Sequence, residues 1–403
     1  MKRILTFLMI AGGITMYAAA LDFGVNLSNI TDLNGTNDTF NISQANAAEV
    51  FVEFPVGGFS SIYISGEARF SGLFPIKPKG TAQLLPLAQA FRLKRTDWSG
   101  NKIFNTTNNT IGLRWAVGRT SFNDYSYKIL NGLFDGGKIG ITIKNTDVAF
   151  ALGYTGLTYK TDAKIKIDWD DIDRLKNTST VLAPQRLFML LSASFQEVIP
   201  AHTIGFDVLA QFDLLELTRR THTQYFMPYI HGRIGRNINW QYWIALQLRE
   251  ASKFTYSLAS GLAVQYFNPN WHYFTVTGKL NWAAGDYDGT GPMHQFTPIT
   301  DTKQTVVADG AFGSFSDTLT GGLTVSVRPI QGLLTELSYI LLTSPNTASA
   351  PVYRGSELSA KVAYQFHNDF DVSFTGGIFI PNRKVITAYN LRWLTELAFT
   401  IKL

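Results

Sequence analysis

Leu391-Arg392-Trp393-Leu394-Thr395-Glu396-Leu397-Ala398-Phe399-Thr400-Ile401-Lys402-Leu403 are the last thirteen residues of the chain. Leu391, Trp393, Leu397, Phe399, Ile401 and Leu403 fall on every second position, with Thr395 as a weak member of the set. Arg392, Leu394, Glu396, Ala398, Thr400 and Lys402 fill the positions between. Side chains alternate between the two faces of a strand, so this is a strand with one apolar face and one mostly polar face. A strand with lipid on one side and water on the other needs that division.

The same pattern recurs along the whole chain. Ile238, Trp240, Tyr242, Ile244, Leu246 and Leu248 alternate with Asn239, Gln241, Trp243, Ala245, Gln247 and Arg249. Phe254 to Tyr266 returns beside them, and Asn268-Pro269-Asn270 turns the chain again. Leu21, Phe23, Val25 and Leu27 begin the series near the N-terminus. Counted through, the alternation predicts about 16 to 18 strands, most of the length a tilted strand needs to cross a bilayer. The fourth is read over 84–96 and the fifth over 108–120. The fold class is therefore all-β: one transmembrane, antiparallel, up-and-down barrel.

The connections supply a second signal. Numbered from the N-terminus, the even ones are mostly tight, as at 55–59, 145–147, 199–201, 235–238, 268–270, 329–331 and 367–369. The odd ones include every long segment: 30–47, 74–83, 121–136, 161–185, 286–315, 344–354 and 381–389. Short turns at one end and long loops at the other mark an outer-membrane barrel, with the short turns periplasmic. The even connection at 97–107 is the exception. The stretch 30–47 is rich in Asn and Thr, with N-x-S/T triplets at Asn29, Asn34, Asn37 and Asn41, and reads as a polar surface loop. Aromatics such as Trp115, Tyr154, Trp240, Trp271, Trp282 and Trp393 gather near strand ends, where interfacial girdles place them.

Lys2 and Arg3, an apolar run over 4–17 and Ala18-Ala19-Ala20 have the form of a signal peptide, 1–20, with cleavage near Ala20. The remainder, 21–403, reads as a single outer-membrane barrel in the cell outer membrane. The chain has no cysteine, so disulfides and thiolate metal sites do not arise. Without Lys2 and Arg3 the formal charge of +5 becomes +3, too little to suggest nucleic-acid binding. No cofactor and no metal is expected.

A barrel of this size normally holds an aqueous channel. The inward parity collects Arg69, Arg92, Lys94, Arg114, Lys144, Arg233, Arg249, Lys279, Arg328, Lys361 and Arg392. The acids on it are fewer: Glu67, Asp207, Asp213, Glu357, Asp371 and Glu396. Such a lumen favours anions unless the charges pair with one another across strands, and both readings stay open. The expectation is a porin that passes small hydrophilic solutes by diffusion, narrowed by an infolded loop, first 121–136 and then 286–315.

Two short stretches carry resemblances. The terminal strand, through Phe399 and Ile401, resembles the signal read by the bacterial barrel assembly machinery, although Leu403 stands where the commonest form has an aromatic. That implies the assembly machinery and outer-membrane lipid as partners; a homo-oligomer is left open. Gly118-Arg119-Thr120, followed by Leu130-Asn131-Gly132-Leu133-Phe134-Asp135-Gly136, resembles a pattern in alginate-export-type and related bacterial outer-membrane porins. The chain's general look also resembles porin-like outer-membrane proteins of spirochaetes. The first of these likenesses implies Arg119 and Asp135 as loop or constriction residues, although alternation puts Arg119 on the outward parity.

Other classes leave weaker marks. The six histidines show no metal-ligand spacing and there is no G-x-S-x-G elbow, so no catalytic residue is assigned and an outer-membrane lipid hydrolase is disfavoured. A hydrophobic-substrate transporter would need an N-terminal plug, and the first strand begins directly after the cleavage site. A surface adhesin presenting 161–185 and 286–315, or a plugged structural barrel, is the remaining alternative.

Overall fold

A computed structural model describes residues 21–36, 40–77, 83–84, 91–106, 110–159, 163–166, 182–214, 222–250, 253–285, 293–302, 304–307, 315–345, 352–366, 369–382 and 391–403. The expected signal peptide, 1–20, lies outside them. The strands are β1 (Asp22–Gly35), β2 (Phe40–Pro55), β3 (Ser60–Lys77), the two-residue β4 (Gln83–Leu84), β5 (Phe91–Asn105), β6 (Thr110–Asn123), β7 (Asn131–Ile143), β8 (Thr146–Tyr154), β9 (Arg186–Ile199) and β10 (His202–Asp213). They continue with β11 (His222–Ile234), β12 (Ile238–Glu250), β13 (Phe254–Asn268), β14 (Phe274–Ala283), β15 (Thr318–Val327), β16 (Leu333–Ser344), β17 (Val352–Phe366), β18 (Phe370–Pro381) and β19 (Arg392–Lys402).

Apart from β4, which is a short addition to β3, each strand pairs antiparallel with its neighbours in sequence. β3 pairs directly with β5. The terminal strand pairs back onto the first, from Asn26 opposite Lys402 to Gly35 opposite Trp393. Eighteen strands thus close into an up-and-down barrel with no free edge, the only way a sheet can satisfy its backbone in hydrocarbon.

The face of each strand follows from its alternation. Phe70, Val117, Ile139, Leu280, Leu337 and Phe374 stand exposed on the outside. The opposite parity carries Phe122, Phe134, Phe188 and Trp243, which join Leu130, Phe296 and Phe315 of the connections in one buried cluster. An apolar belt of that extent belongs in lipid. Aromatics meet near its rims: Trp115 packs edge-on against Phe59 and Trp98, and Phe40 stacks on Trp393 at 5.4 Å.

The structure turns two expected loops into strand. Most of 30–47 is strand, because β1 runs to Gly35 and β2 starts at Phe40. Asn, Thr, Ser and Gln occupy both faces there, so the hydrophobic alternation vanishes although the backbone ladder persists. The segment 97–107 is likewise mostly β5, leaving a short connection at 106–109. A bulge explains the misreading: Ser65 pairs with Arg95 and Gly66 with Leu93, so Lys94 is an extra residue. The parity flips at that point, and Leu93 and Trp98 share the outer face. Leu85 and Leu87, assigned to the fourth strand from sequence, lie outside the described residues. With these shifts every connection at the end that carries both termini is short, and the long loops all lie at the other end.

Opposite faces of β19 should tolerate charge very differently. Leu397 points outward and Ala398 inward. Leu397→Arg should cost about 2–4 kcal/mol of stability in lipid vesicles, as measured by denaturant unfolding, whereas Ala398→Arg should cost less than about 1 kcal/mol.

Candidate functional site

The inside of the barrel is where the sequence and the fold converge. The connection between β6 and β7 does not lie over the rim. It enters the lumen and packs on the inward side chains of β10, β11 and β12. Asp124 builds this loop. One carboxylate oxygen accepts the N–H groups of Ile129 at 3.1 Å and Leu130 at 2.6 Å. The other accepts from the Ser126 N–H at 2.8 Å and from the Ser126 hydroxyl. An Asp with a Ser two residues on is an Asx-type turn, and that signal was present in the sequence. Burial pushes the Asp124 carboxyl above its ordinary range, against these hydrogen bonds.

Tyr125 fastens the loop to the wall. Its N–H donates to Asp207 Oδ2 at 2.7 Å. Its ring lies parallel to Tyr229, with centroids 3.7 Å apart. Its hydroxyl reaches His231 Nδ1 at 3.1 Å, and burial followed by the Asp207 charge pushes that hydroxyl up to about 12. Lys128 donates to Gln304 Oε1 at 3.0 Å. Burial and the nearby Lys279 charge push its amine down to about 8, with Asp124 opposing them.

The connection after β14 crosses the lumen above this loop. Thr297 exchanges hydrogen bonds with Gln247 on β12, and the Tyr225 hydroxyl donates to the Thr297 carbonyl at 2.6 Å. The N–H groups of Ile299 and Thr300 both donate to the Ile129 carbonyl, joining the two inserted segments. Further on, the N–H groups of Val306 and Val307 donate to the two oxygens of Glu357 on β17. Described parts of the expected infolded segments 121–136 and 286–315 thus meet each other inside the barrel, at Ile129 and at Ile299 and Thr300.

The candidate residues fall into three groups. Arg69, Arg92, Lys94, Arg114, Arg233, Arg249, Lys279, Lys361, Arg392 and Glu357 share the inward side of the wall. Several are spoken for. Arg92 bonds Glu67 at 2.5 Å, and Lys94 bridges Glu49 and Glu67 at 2.8 and 3.2 Å. Arg114 pairs with Asp147 at 2.6 Å, and Arg249 meets His294. Glu357 is 1% exposed and is used up by the crossing loop, so it is an anchor and not an open pore charge. Lys144 sits in the tight turn between β7 and β8, and Arg328, directly after β15, lines a second hollow of about 480 Å³ with the inward residues Asp371, Ser373 and Thr400.

Arg119 and Asp135 are brought together, in contact with the loop after β8. Arg119 holds both Asp135 oxygens, at 3.0 and 2.9 Å, and also the carbonyls of Leu93 and Leu157. The pair lies on the parity opposite Phe122 and Phe134. Gly118, at φ +121, lets β6 approach β5 here; a Cβ would stand 2.1 Å from the Thr96 carbonyl. The pair therefore staples the loop after β8 to the wall beside the Lys94 bulge.

On the short-turn side of the inserted loop a hollow of about 620 Å³ opens. It is lined by Tyr125, His231, Arg233, Trp240, Gln241, Gln265 and Lys279, among others, and no carboxylate lines it. Arg233 and Lys279 are exposed and make no ion pair among the described residues. Across the barrel the inward face of β1, β2 and β19 is polar and half-exposed, with Asn26, Ser28, Asp32, Ser43 and Thr400.

No protein-family model matches the chain, and no curated protein matches its sequence. Solved structures do match. Pseudomonas aeruginosa OccK7 (OpdD) superposes with a TM-score of 0.58 at 11% identity, over 96% of this chain and 99% of that one. Acinetobacter baumannii OccAB4 gives a TM-score of 0.55 at 11% identity, over 96% and 99%. The outer membrane protein opdK from P. aeruginosa gives 0.52 at 10% identity, over 95% and 99%. The shared property at this identity is the barrel fold.

Asp124 should be the residue on which the inserted loop depends. Asp124→Ala should lower the local stability of 124–130 by about 3 kcal/mol. Amide hydrogen exchange at Ser126, Ile129 and Leu130 should then be about 100-fold faster, with exchange in β10–β13 unchanged.

Proposed function

We propose that this protein is an outer-membrane channel of the porin type that admits small hydrophilic solutes by diffusion, with anions favoured. The carboxylate-free hollow around Arg233 and Lys279, opening beside a loop that narrows the lumen, carries this reading. Low-dielectric walls focus the field of those two cations on whatever enters, so an anion gains there what a cation loses. Tyr125, Gln241 and Gln265 supply flat surface and neutral hydrogen-bonding groups beside the charges. The pairs Arg92–Glu67 and Arg114–Asp147 are locally neutral and add little to selectivity. No bond is made or broken in this function, so it needs no catalytic residue.

The same reading places the mature chain in the outer membrane after removal of 1–20, inserted by the barrel assembly machinery. The likeness of fold to an outer membrane protein supports the location, as does the lipid-suited outer face. The extent of loop packing in the lumen also favours a second reading, a barrel held closed by its inserted loops.

Planar-bilayer recording under a salt gradient separates these. An open porin should give steady openings with an anion-positive reversal potential. Arg233→Glu with Lys279→Glu should reverse its sign, while Arg92→Glu with Arg114→Glu should shift it far less. Equal effects from both double variants would mean the wrong charges have been assigned to the path, and a silent but folded protein would favour the closed barrel.

The pH dependence follows from Lys128. Its amine is charged below about 8 and neutral above. Raising the pH from about 7 to about 9 should therefore reduce the anion preference in part. In Lys128→Met the preference should stay flat across the same window.

A further inference from the structure

The outer face of β1 and β2 differs from the rest of the belt. Asn29, Thr31, Gln44 and Asn46 all lie on the outward parity, in register with Phe399 and Leu397 of β19. Leu27 and Ile401 flank them toward the short-turn end, and Leu33, Ile42 and Trp393 toward the loop end. They therefore sit within the apolar band and not at its rim. On β12, by contrast, the outward positions run Ile238, Trp240, Tyr242, Ile244, Leu246 and Leu248. The triplet Asn29-Ile30-Thr31, which reads from sequence as the edge of a polar loop, belongs to this wall.

The amides bond one another only in part. Asn29 Nδ2 donates to Asn46 Oδ1 at 2.5 Å, and Thr31 Oγ1 donates to Asn29 Oδ1 at 3.2 Å. An amide side chain carries two donors and a two-lone-pair acceptor, so donors on both residues still face outward. Hydrocarbon has nothing to offer them, and unpaired polar groups in lipid are costly. The surrounding surface is also low. A groove of about 340 Å³ runs over Ala48 and Ala68 between Phe70 and Phe399.

We infer that this face, centred on Asn29 and Asn46, is the contact between two copies of this chain within the membrane. A second copy fits for three reasons. Amides donate and accept, so the patch is complementary to itself across a two-fold axis. It carries no formal charge, so like faces do not repel. A ridge such as Phe70 beside a groove floored by alanines lets two identical walls interdigitate, and small residues with polar groups are what holds protein surfaces together in lipid. This contact rests on the membrane reading above, but not on what the lumen passes.

The test uses the full chain reconstituted in phospholipid nanodiscs and vesicles, with stoichiometry read by mass photometry and cross-linking. The wild type should be dimeric. Asn29→Leu with Asn46→Leu should weaken association about tenfold or more, the scale of one to two intramembrane hydrogen bonds. That variant should keep a heat-modifiable barrel and unchanged single-channel conductance. Ser260→Leu, an outward polar position on β13, should leave association as it is. A wild type that conducts as a monomer at every protein-to-lipid ratio would overturn the contact alone, and so would a double variant that dimerises like the wild type. A monomer that carries one tightly held lipid, lost in the double variant, would overturn it in favour of a lipid site. Protein that fails to insert would overturn the membrane reading and the contact together.

Discussion

A sheet in hydrocarbon can have no edge. Each strand presents a row of N–H and C=O groups, and lipid cannot satisfy them. The ladder between β1 and β19 is therefore the interaction on which the whole structure depends: ten consecutive residue pairs, from Asn26–Lys402 to Gly35–Trp393, turn a ribbon into a closed wall. Closure fixes the two faces. The alternate residues of every strand are then committed either to lipid or to the lumen, and a slip of one residue would exchange them.

The closed wall leaves an interior too wide for its own side chains to fill. This protein fills part of it with chain. Described parts of three connections from the same end meet in the lumen, with 163–166 paired to 299–301, and the other two are held by a few well-placed acceptors: Asp124 within its own loop, Asp207 for the Tyr125 N–H, and Glu357 for Val306 and Val307. Each buried carboxylate is used to satisfy backbone groups that would otherwise be stranded. The aromatic cluster from Phe122 to Phe315 packs beneath them on the β6–β15 side. What remains open is the polar half-wall of β1, β2 and β19 and the basic hollow beside Tyr125. The function proposed for the molecule lives in that remainder.

The fold class was legible because membrane barrels write their two faces into the sequence at period two, as Ile238–Arg249 shows. The end-to-end difference in loop length was legible for the same reason. Two kinds of information were not. A bulge such as Lys94 costs one residue and inverts the pattern after it, so the fourth barrel strand was placed too early and 97–107 looked like a loop. Strands whose outward face is polar, as over 30–47, have no alternation to detect, because backbone pairing alone holds them. The site was less legible still. Parity sorted charges to a side, but it could not show that Arg92 meets Glu67, that Arg119 and Asp135 staple a loop on the other face, or that Arg233 and Lys279 stay open. Those outcomes depend on register between neighbouring strands and on loops that fold inward.

On the proposed function, water and solute pass the inserted loops through the hollow beside Tyr125. The chain has no cysteine, so a single one can be placed there without background. Gln265→Cys lines the hollow. Adding a charged, thiol-reactive methanethiosulfonate during single-channel recording should produce one irreversible downward step in current per channel. Full modification of Cys at that position, verified by mass, with no change in current would place the conducting path elsewhere.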